Sequence, residues 1–568
     1  IIRHTTGDGV YVYGESGAKV TLNMSNSEVS DTDGYGIHGH VIGSSTQLSG
    51  SISGNTVTAN GSYGIYLYTY NNALSTVSIK DNTVSGSSVY GIYVYSYATY
   101  GTKSEIEVIG NEVFGIGSTT SHHGIYCYAN RSNMAAHIFD NQVHDNTGTG
   151  IYCNQYYYST TLYPEISNNR AYSNGTHGIV CNGQNVDTVI TLNTVYENTN
   201  WGIRCVSSSM TGDILYNDVH DNTGGGLYIN TANGSNVNFN NLMNNGDDSK
   251  YALYNDSASS VNARCNYWGS AVTTEMDAGG NPKNISRIYD IYDNTGKGTV
   301  DYSGWLASAV TLPTSPVSRI TSPEHGSVLK TAVLRIQGIA VSPNGVSRVE
   351  VSPDNGINWY EAQGAETWYY DWTVTGDGDH IIRSRVIDRA DPPNIETPGP
   401  GVTITIDSSL PTTSGALTGD ETWSGTVTLT GDVTVPSGVS LTIQPGTVLR
   451  SQALNDDQSG GDNTSRIELI VEGSLTAEGT ETSPIVFTST SGNPAKGDWY
   501  GIRVRTESGN ELVSLSHCTI EYSQKGVNLS AKTYASTVNI SDSIIRHTTG
   551  DGVYVYGESG AKVTLNMS

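Results

Sequence analysis

Four cysteines stand at one spacing in the sequence. Cys127, Cys153, Cys181 and Cys205 each follow a glycine by three residues (Gly124, Gly150, Gly178 and Gly202). Thiols at a fixed interval can pair as disulfides, hold a soft metal or fill a core as small hydrophobes. The column starts with Leu67 and Val94 and ends with Ile229, so inward packing is the expectation. Parallel Cβ vectors give poor disulfide geometry, and a straight column does not offer a tetrahedral metal site. There is no CxxCH for covalent haem, and six cysteines in 568 residues are not a small disulfide framework. His122, His123, His144, His177 and His220 lie among polar residues; they read as solvated turn positions, with a multi-histidine metal site as the alternative. Asp388, Asp391, Asp456, Asp457 and Asp462 could bind Ca²⁺ through loop carboxylates, without EF-hand spacing. No other cofactor is expected.

The elements that position these residues come from a repeat. "NTVTANGSYGIYLY" from Asn55 returns as "NTVSGSSVYGIYVY" from Asn82, "NQVHDNTGTGIYCN" from Asn141 and "NDVHDNTGGGLYIN" from Asn217. The repeating glycine falls at Gly9, Gly36, Gly64, Gly91, Gly124, Gly150, Gly178, Gly202 and Gly226. A period of roughly 26 with short apolar runs is a solenoid signal. The β-branched, Gly-broken pattern excludes helical repeats, and the missing Leu framework excludes leucine-rich ones. A parallel β-helix remains, its coils stacked at about 4.8 Å. Alternation then sends Ile37, Ile65, Ile92, Ile125, Ile151, Ile179 and Ile203 inward. It sends Tyr66, Tyr68, Tyr93, Tyr95, Tyr126, Tyr128 and Tyr152 outward as an aromatic face, a candidate for an interface, a glycan or plain cross-strand stacking. Asn55, Asn82, Asn141, Asn169, Asn193 and Asn217 stand nine residues before the glycine and are expected to stack as a structural amide ladder. The glycine itself is expected to supply a turn conformation that other residues resist.

These motifs resemble the pectate-lyase-like right-handed parallel β-helix family of bacterial and archaeal surface proteins. "ARCNYWGS" (263–270) and "RIYDIYDNTGKGTVDYSGWL" (287–306) resemble its closing segment, with Trp268 and Trp305 covering the last coil, and "ETWSGTVTLTGDVTVPSGVSLTIQPGTVLR" (421–450) resembles its opening. Residues 316–407 resemble a bacterial Ig-like domain, with a hairpin at Asn355-Gly356 and Trp359, Trp368 and Trp372 in its core. The expected class is all-β: 1–310 as the C-terminal part of a β-helix, 316–407 as an Ig-like sandwich, and 410–568 as the N-terminal part of the next β-helix. Polygalacturonase-like members carry Asn-Thr-Asp, an Asp pair and Gly-His-Gly on successive rungs. Here Asp247-Asp248 and "HGH" at 38–40 are far apart and out of order, and neither "NTD" nor "GHG" occurs. No catalytic residue is assigned, and the chain is expected not to be an enzyme.

Residues 544–568 repeat residues 1–25 without a change. Drift would have blurred an old duplication, so two readings remain: one period of a tandem array that continues as further units, which is the expectation, or a subunit that carries the same segment at both ends for end-to-end assembly. A net charge of −26 disfavours nucleic acid or anionic membrane as partner, and no stretch approaches a transmembrane span. The expected role is a repeat unit of an extracellular filament, sheath or giant adhesin at a prokaryotic cell surface, whose main partner is itself. A polysaccharide lyase or hydrolase and a non-catalytic glycan-binding adhesin are the alternatives.

Overall fold

In a computed structural model all residues are described except 99–102, 158, 208–211, 232–234, 247–249, 331–332, 408–409, 457–459, 507–510, 532–534 and 559, and the side chains of 231, 506 and 511. Asp247, Asp248 and Asp457 therefore lie outside the described residues.

Residues 1–301 coil into three parallel sheets of ten, eleven and eleven strands. Each coil has a three-residue strand such as Thr56–Thr58, a tyrosine-bearing strand such as Ile65–Tyr70, and a third strand such as Leu74–Lys80. Local backbone chemistry sets this shape. Left-handed residues bracket the short strands: Gly54 and Ala59 around Thr56–Thr58, Asp140 and Asp145 around Gln142–His144, Asn168 and Ser173 around Arg170–Tyr172. Each such residue turns the chain into the next sheet, at about 1–2 kcal/mol where it is not glycine. The strands keep strict register: Ile37, Ile65, Ile92, Ile125, Ile151, Ile179 and Ile203 are paired in sequence and wholly buried.

The repeating glycine serves space, not conformation. At Gly64 and Gly124 φ lies outside the left-handed region. A Cβ on Gly64 would meet Val84 Cγ1 at 2.4 Å and the Gly91 carbonyl at 2.7 Å, and one on Gly124 would meet Val143 Cγ1 at 2.6 Å. The glycine is needed because a short-strand valine and the backbone of the next rung close in on that corner.

The coil closes with Trp268, which is buried, Trp305, which packs partly exposed against the same core, and a short helix, Ser270–Asp277, that drops Val272 and Met276 onto the last rung. Trp305 Nε1 donates to Asp277 Oδ1 at 2.9 Å and ties the cover together.

Residues 317–406 form two sheets of four and five strands with antiparallel pairing, apart from one short parallel edge. Trp368 and Trp372 fill the core between them. Trp359 does not: it is half-buried under the Arg385 guanidinium, 4.2 Å from its ring. Asn355 and Gly356 both have positive φ, within the connection between the strands Val346–Ser352 and Tyr360–Glu361.

Residues 415–567 form a second coil with sheets of six, six and five strands around its own core. Its inward column, Val433, Leu469, Ile502, Val527 and Val553, is paired in sequence. The two copies of the duplicated segment take equivalent strands. Val10–Glu15 and Val553–Gly557 lie in the tyrosine-type sheet of their coils, Lys19–Ser25 and Val563–Met567 in the third sheet, and Ile2–Arg3 and Ile544–Arg546 in the short-strand sheet. Val10 pairs onward with Ile37, so the column of the second coil and that of the first share one register through the duplicated rung.

The Ig-like domain packs on the first coil. Leu192, Leu215, Tyr216 and Phe239 of the coil form one apolar cluster with Ile339 and Val341. Ser167 Oγ donates to the Ser342 carbonyl at 3.1 Å, and the Thr367 hydroxyl donates to Asp213. On its other side Lys330 reaches Glu421 of the second coil at 2.7 Å; Glu421 also accepts from Trp423 Nε1 and the Thr412 hydroxyl.

Candidate functional site

The amide ladder runs further than the six residues expected. Asn55, Asn82, Asn111, Asn141, Asn169, Asn193, Asn217, Asn240 and Asn266 are joined by side-chain hydrogen bonds of 2.9–3.1 Å. Asn82 shows the pattern. Its Nδ2 donates to Asn111 Oδ1 and to the Ile52 carbonyl, and its Oδ1 accepts from both nitrogens of Asn55. Each buried amide thus bridges three rungs with its polar atoms satisfied, which is what makes burial tolerable. A second ladder, Asn146, Asn174, Asn198, Asn222 and Asn245, runs along the opposite end of the short strands. Its signal was present in the sequence, since each member follows a first-ladder Asn by five residues. Both ladders are structural.

Cys127, Cys153, Cys181 and Cys205 point into the core, are at most 1% exposed and are free thiols. The Cys153 thiol is pushed up by its contacts with Cys127 and Cys181 and by burial. This is apolar packing by sulfur.

The tyrosines form columns along the coil axis. Tyr66 stacks on Tyr93 at 5.1 Å and Tyr93 on Tyr126 at 4.9 Å, within 11° of parallel; Tyr126 meets Tyr152 at 5.2 Å. Tyr68 stacks on Tyr95 at 5.1 Å, Tyr95 meets Tyr128 edge-on, and Tyr35, Tyr63 and Tyr90 make a third column. In the stacked pairs one ring face is occupied by the ring of the next rung. Tyr93 and Tyr126 are only 8% exposed. Burial raises the phenol pKa values of Tyr66, Tyr93 and Tyr126 far above the usual range. The outward aromatic face is self-stacked, because the 4.8 Å rung spacing suits ring-on-ring contact.

His122, His123, His144 and His220 pack against aromatic columns rather than sitting solvated in turns. Phe114, His144, Tyr172, Tyr196 and His220 stack in order at 4.7–5.2 Å and within 9° of parallel. His123 stacks on Tyr90, and its pKa is lowered by burial to about 4, as is that of His177. His122 lies beside the same column, edge-on to Tyr90.

The acidic residues separate by role. Asp388 is a loop organiser: it accepts from Ser342 Oγ, Asn344 Nδ2, Ala390 N and both nitrogens of Asn394. Those bonds hold its pKa down despite burial. Asp391 is exposed on the same loop. Asp456 accepts from the backbone nitrogens of Asp432 and Gly460, and Asp462 pairs with Arg503 at 2.6 Å. Sequence reasoning missed Asp432 and Glu468, which complete this cluster. Glu468 meets Arg503 at 3.1 Å, and burial pushes the Asp432 carboxyl up to about 7. Both are almost wholly buried. Among the described residues no group of three His, Cys, Asp or Glu side chains is gathered for a metal. A depression of about 560 Å³ between 314–316, 343–344 and 393–395 is open to solvent and is lined by no ionisable side chain.

The comparisons agree with this architecture. Residues 1–113 and 100–267 match the family described as a right handed beta helix region, residues 415–534 the pectate-lyase like beta helix domain, and residues 316–383 a bacterial Ig domain. The chain is thus an all-β protein in which a bacterial Ig domain separates two right-handed parallel β-helix segments. No curated protein matches it. Among solved structures it is similar to tailspike protein 2 of an Escherichia coli O157:H7 bacteriophage. That match has 13% identity and a TM-score of 0.31, and covers 69% of this chain and 60% of the tailspike; the tailspike's separate enzymatically active domain gives 12% and 0.30, covering 68% of this chain and 65% of that one. Fibronectin(III)-like modules of Clostridium thermocellum CbhA match 16% of the chain and 97% of their own length at 17% identity, with a TM-score of 0.15. At these levels no activity of those proteins transfers.

Proposed function

We propose that the chain is a repeat unit of an extracellular scaffold, a filament, sheath or giant adhesin, in which one β-helix is assembled from residues 410–568 of one unit and 26–310 of the next. The observation that carries this reading is the duplicated rung: identical sequence at 1–25 and 544–568, in equivalent strands of equivalent sheets. Joined there, the inward column reads Val433, Leu469, Ile502, Val527, Val553, Ile37, Ile65 without a break in register. Each rung hydrogen-bonds to the next, so such a helix is a stiff rod, and the Ig domain is its spacer and lateral contact. The partner is the same unit, repeated. The native polypeptide, run under denaturing and reducing conditions, has a mass several times 60.5 kDa on this reading. A native mass near one unit opposes it.

A second reading, a polysaccharide-active enzyme, has one foothold. Asp432, with a carboxyl near pH 7, stands beside Glu468 and Arg503, and such a pairing is what general acid–base work needs. The near-complete burial of both carboxyls favours a structural role. Release of oligosaccharide from acidic glycans, lost in Asp432→Asn, would establish the enzyme.

A further inference from the structure

One rung breaks the tyrosine pattern. Where its neighbours present Tyr11 and Tyr13, or Tyr66 and Tyr68, the strand Ile37–Ile42 presents His38 and His40 on the same outward face, two residues apart. The two imidazoles lie 5.5 Å apart between centroids and 17° from parallel.

Their hydrogen bonding is one-sided. His38 Nδ1 lies 2.9 Å from Asp8 Oδ2, and the other oxygen of Asp8 accepts from the Tyr35 backbone nitrogen at 2.9 Å, so the carboxylate is fixed. His40 Nδ1 lies 3.4 Å from the Tyr11 hydroxyl. The Nε2 atoms of both rings are buried and have no hydrogen-bond partner among the described residues. His38 as a whole is 7% exposed. With Nδ1–H donated to Asp8, Nε2 of His38 is a bare lone pair; an unsatisfied buried acceptor costs about 1–3 kcal/mol. A carboxylate on one ring nitrogen and an open lone pair on the other is the arrangement by which proteins orient a metal-binding histidine.

We propose that His38 and His40 bind a divalent transition-metal ion through their Nε2 atoms, with Asp8 as the positioning carboxylate. Imidazole nitrogen selects the later first-row ions, and Cu(II) tops that affinity order. Two protein ligands leave the other coordination positions to water. Burial lowers the pKa of both imidazoles, for His40 with the charge of His38 adding to it. The charged and titratable groups facing them are Asp8 and the phenols of Tyr11, Tyr13, Tyr35, Tyr66 and Tyr68.

The test is titration of the full chain with CuCl₂, read by electron paramagnetic resonance and by competition with a chelator of known affinity. The expected result is one tight Cu(II) per chain with superhyperfine splitting from two nitrogens. In Asp8→Asn affinity falls about 10- to 100-fold, the usual effect of losing an outer-shell carboxylate. His40→Gln, at the half-buried position, gives a one-nitrogen spectrum, and His38→Gln/His40→Gln abolishes the site. Circular dichroism and melting confirm that each variant is folded, and His40→Gln decides the matter if the double variant is not. No stoichiometric binding by the parent chain, or the same spectrum and affinity in His40→Gln, would overturn the assignment.

Discussion

The two coils solve one packing problem with different chemistry. Between residues 26 and 267 the coil is held by two asparagine ladders and by aromatic columns. In 415–543 the same sheets are held by aliphatic columns with Trp423, Phe487 and Trp499 in the core, and the corner position of the first ladder carries Cys518 and Ser543, linked by a bond of 3.0 Å. The spacing differs accordingly. Val433 pairs with Leu469 and Leu469 with Ile502, steps of 36 and 33 residues; Ile502 to Val527 and Val527 to Val553 are steps of 25 and 26. The ladder holds its corner at every rung while the rest of the coil takes insertions, as between Ile92 and Ile125, 33 residues apart. The second coil opens on a narrow rung, Gly415 to Val433, widens over the next two, and settles at the spacing of the ladder rungs as it reaches the duplicated segment.

Four measurements probe that contrast, in order of expected effect. Gly64→Ala drives a methyl into Val84 and a backbone carbonyl and should destabilise the first coil by about 3 kcal/mol, at the upper end of ordinary overpacking; denaturant titration reads it. Asn193→Ala leaves the Asn169 backbone N–H unpaired, while Asn169 Nδ2 keeps the Ile138 and Ser167 carbonyls, and should cost about 2 kcal/mol, whereas Cys518→Ala, at the ladder-equivalent corner of the second coil, should cost about 1 kcal/mol. Equal effects would erase the distinction between the coils.

The third concerns protons. Burial pushes the Glu366 carboxyl in the Ig seam up to about 8, with the charge of Glu165 adding to it. A carboxyl raised on folding contributes its full stability below its free value of about 4.5 and loses it as the pH climbs through 8. The seam should loosen across that window, lowering the melting temperature by a few degrees, and Glu366→Gln should flatten the profile. Asp432 in the second coil gives the same loss earlier, through about pH 7. The smallest effect is spectroscopic: Tyr68, raised to about 12 chiefly by burial, and the more deeply buried Tyr66, Tyr93 and Tyr126 should stay protonated in an ultraviolet titration to pH 11. The fully unfolded chain should ionise them near 10.

The fold was legible because the repeat writes it openly: Gly-Ile-Tyr fixes which residues face in, and Asn nine positions earlier fixes the corner. What escaped the sequence was three-dimensional. The glycine pattern is the same whether φ or space demands it, and only the neighbouring Val84 or Val143 methyl decides for space. Alternation places tyrosine outward but does not say that the next rung covers its face. The second ladder was missed because Ser87 and Ile116 interrupt it in the early rungs. Trp359 was assigned to the core on type alone, although Arg385 holds it at the surface. Asp432 and Glu468 are 36 residues apart and meet only because a wide rung stacks them. The same distance problem hid the seam between Glu165 and Glu366.

The central claim is that the two coils are halves of one helix joined at the duplicated rung. Its most direct test is a single polypeptide in which residues 410–568 run straight into 26–310, studied by electron microscopy and calorimetry. Six and eleven rungs sharing one predict a continuous rod of about 16 rungs, roughly 77 Å at 4.8 Å per rung. The rod should show no hinge at the junction, and Tyr554 and Tyr556 should be shielded there. Two bodies that move and melt independently, or a junction that stays open to solvent, would contradict it.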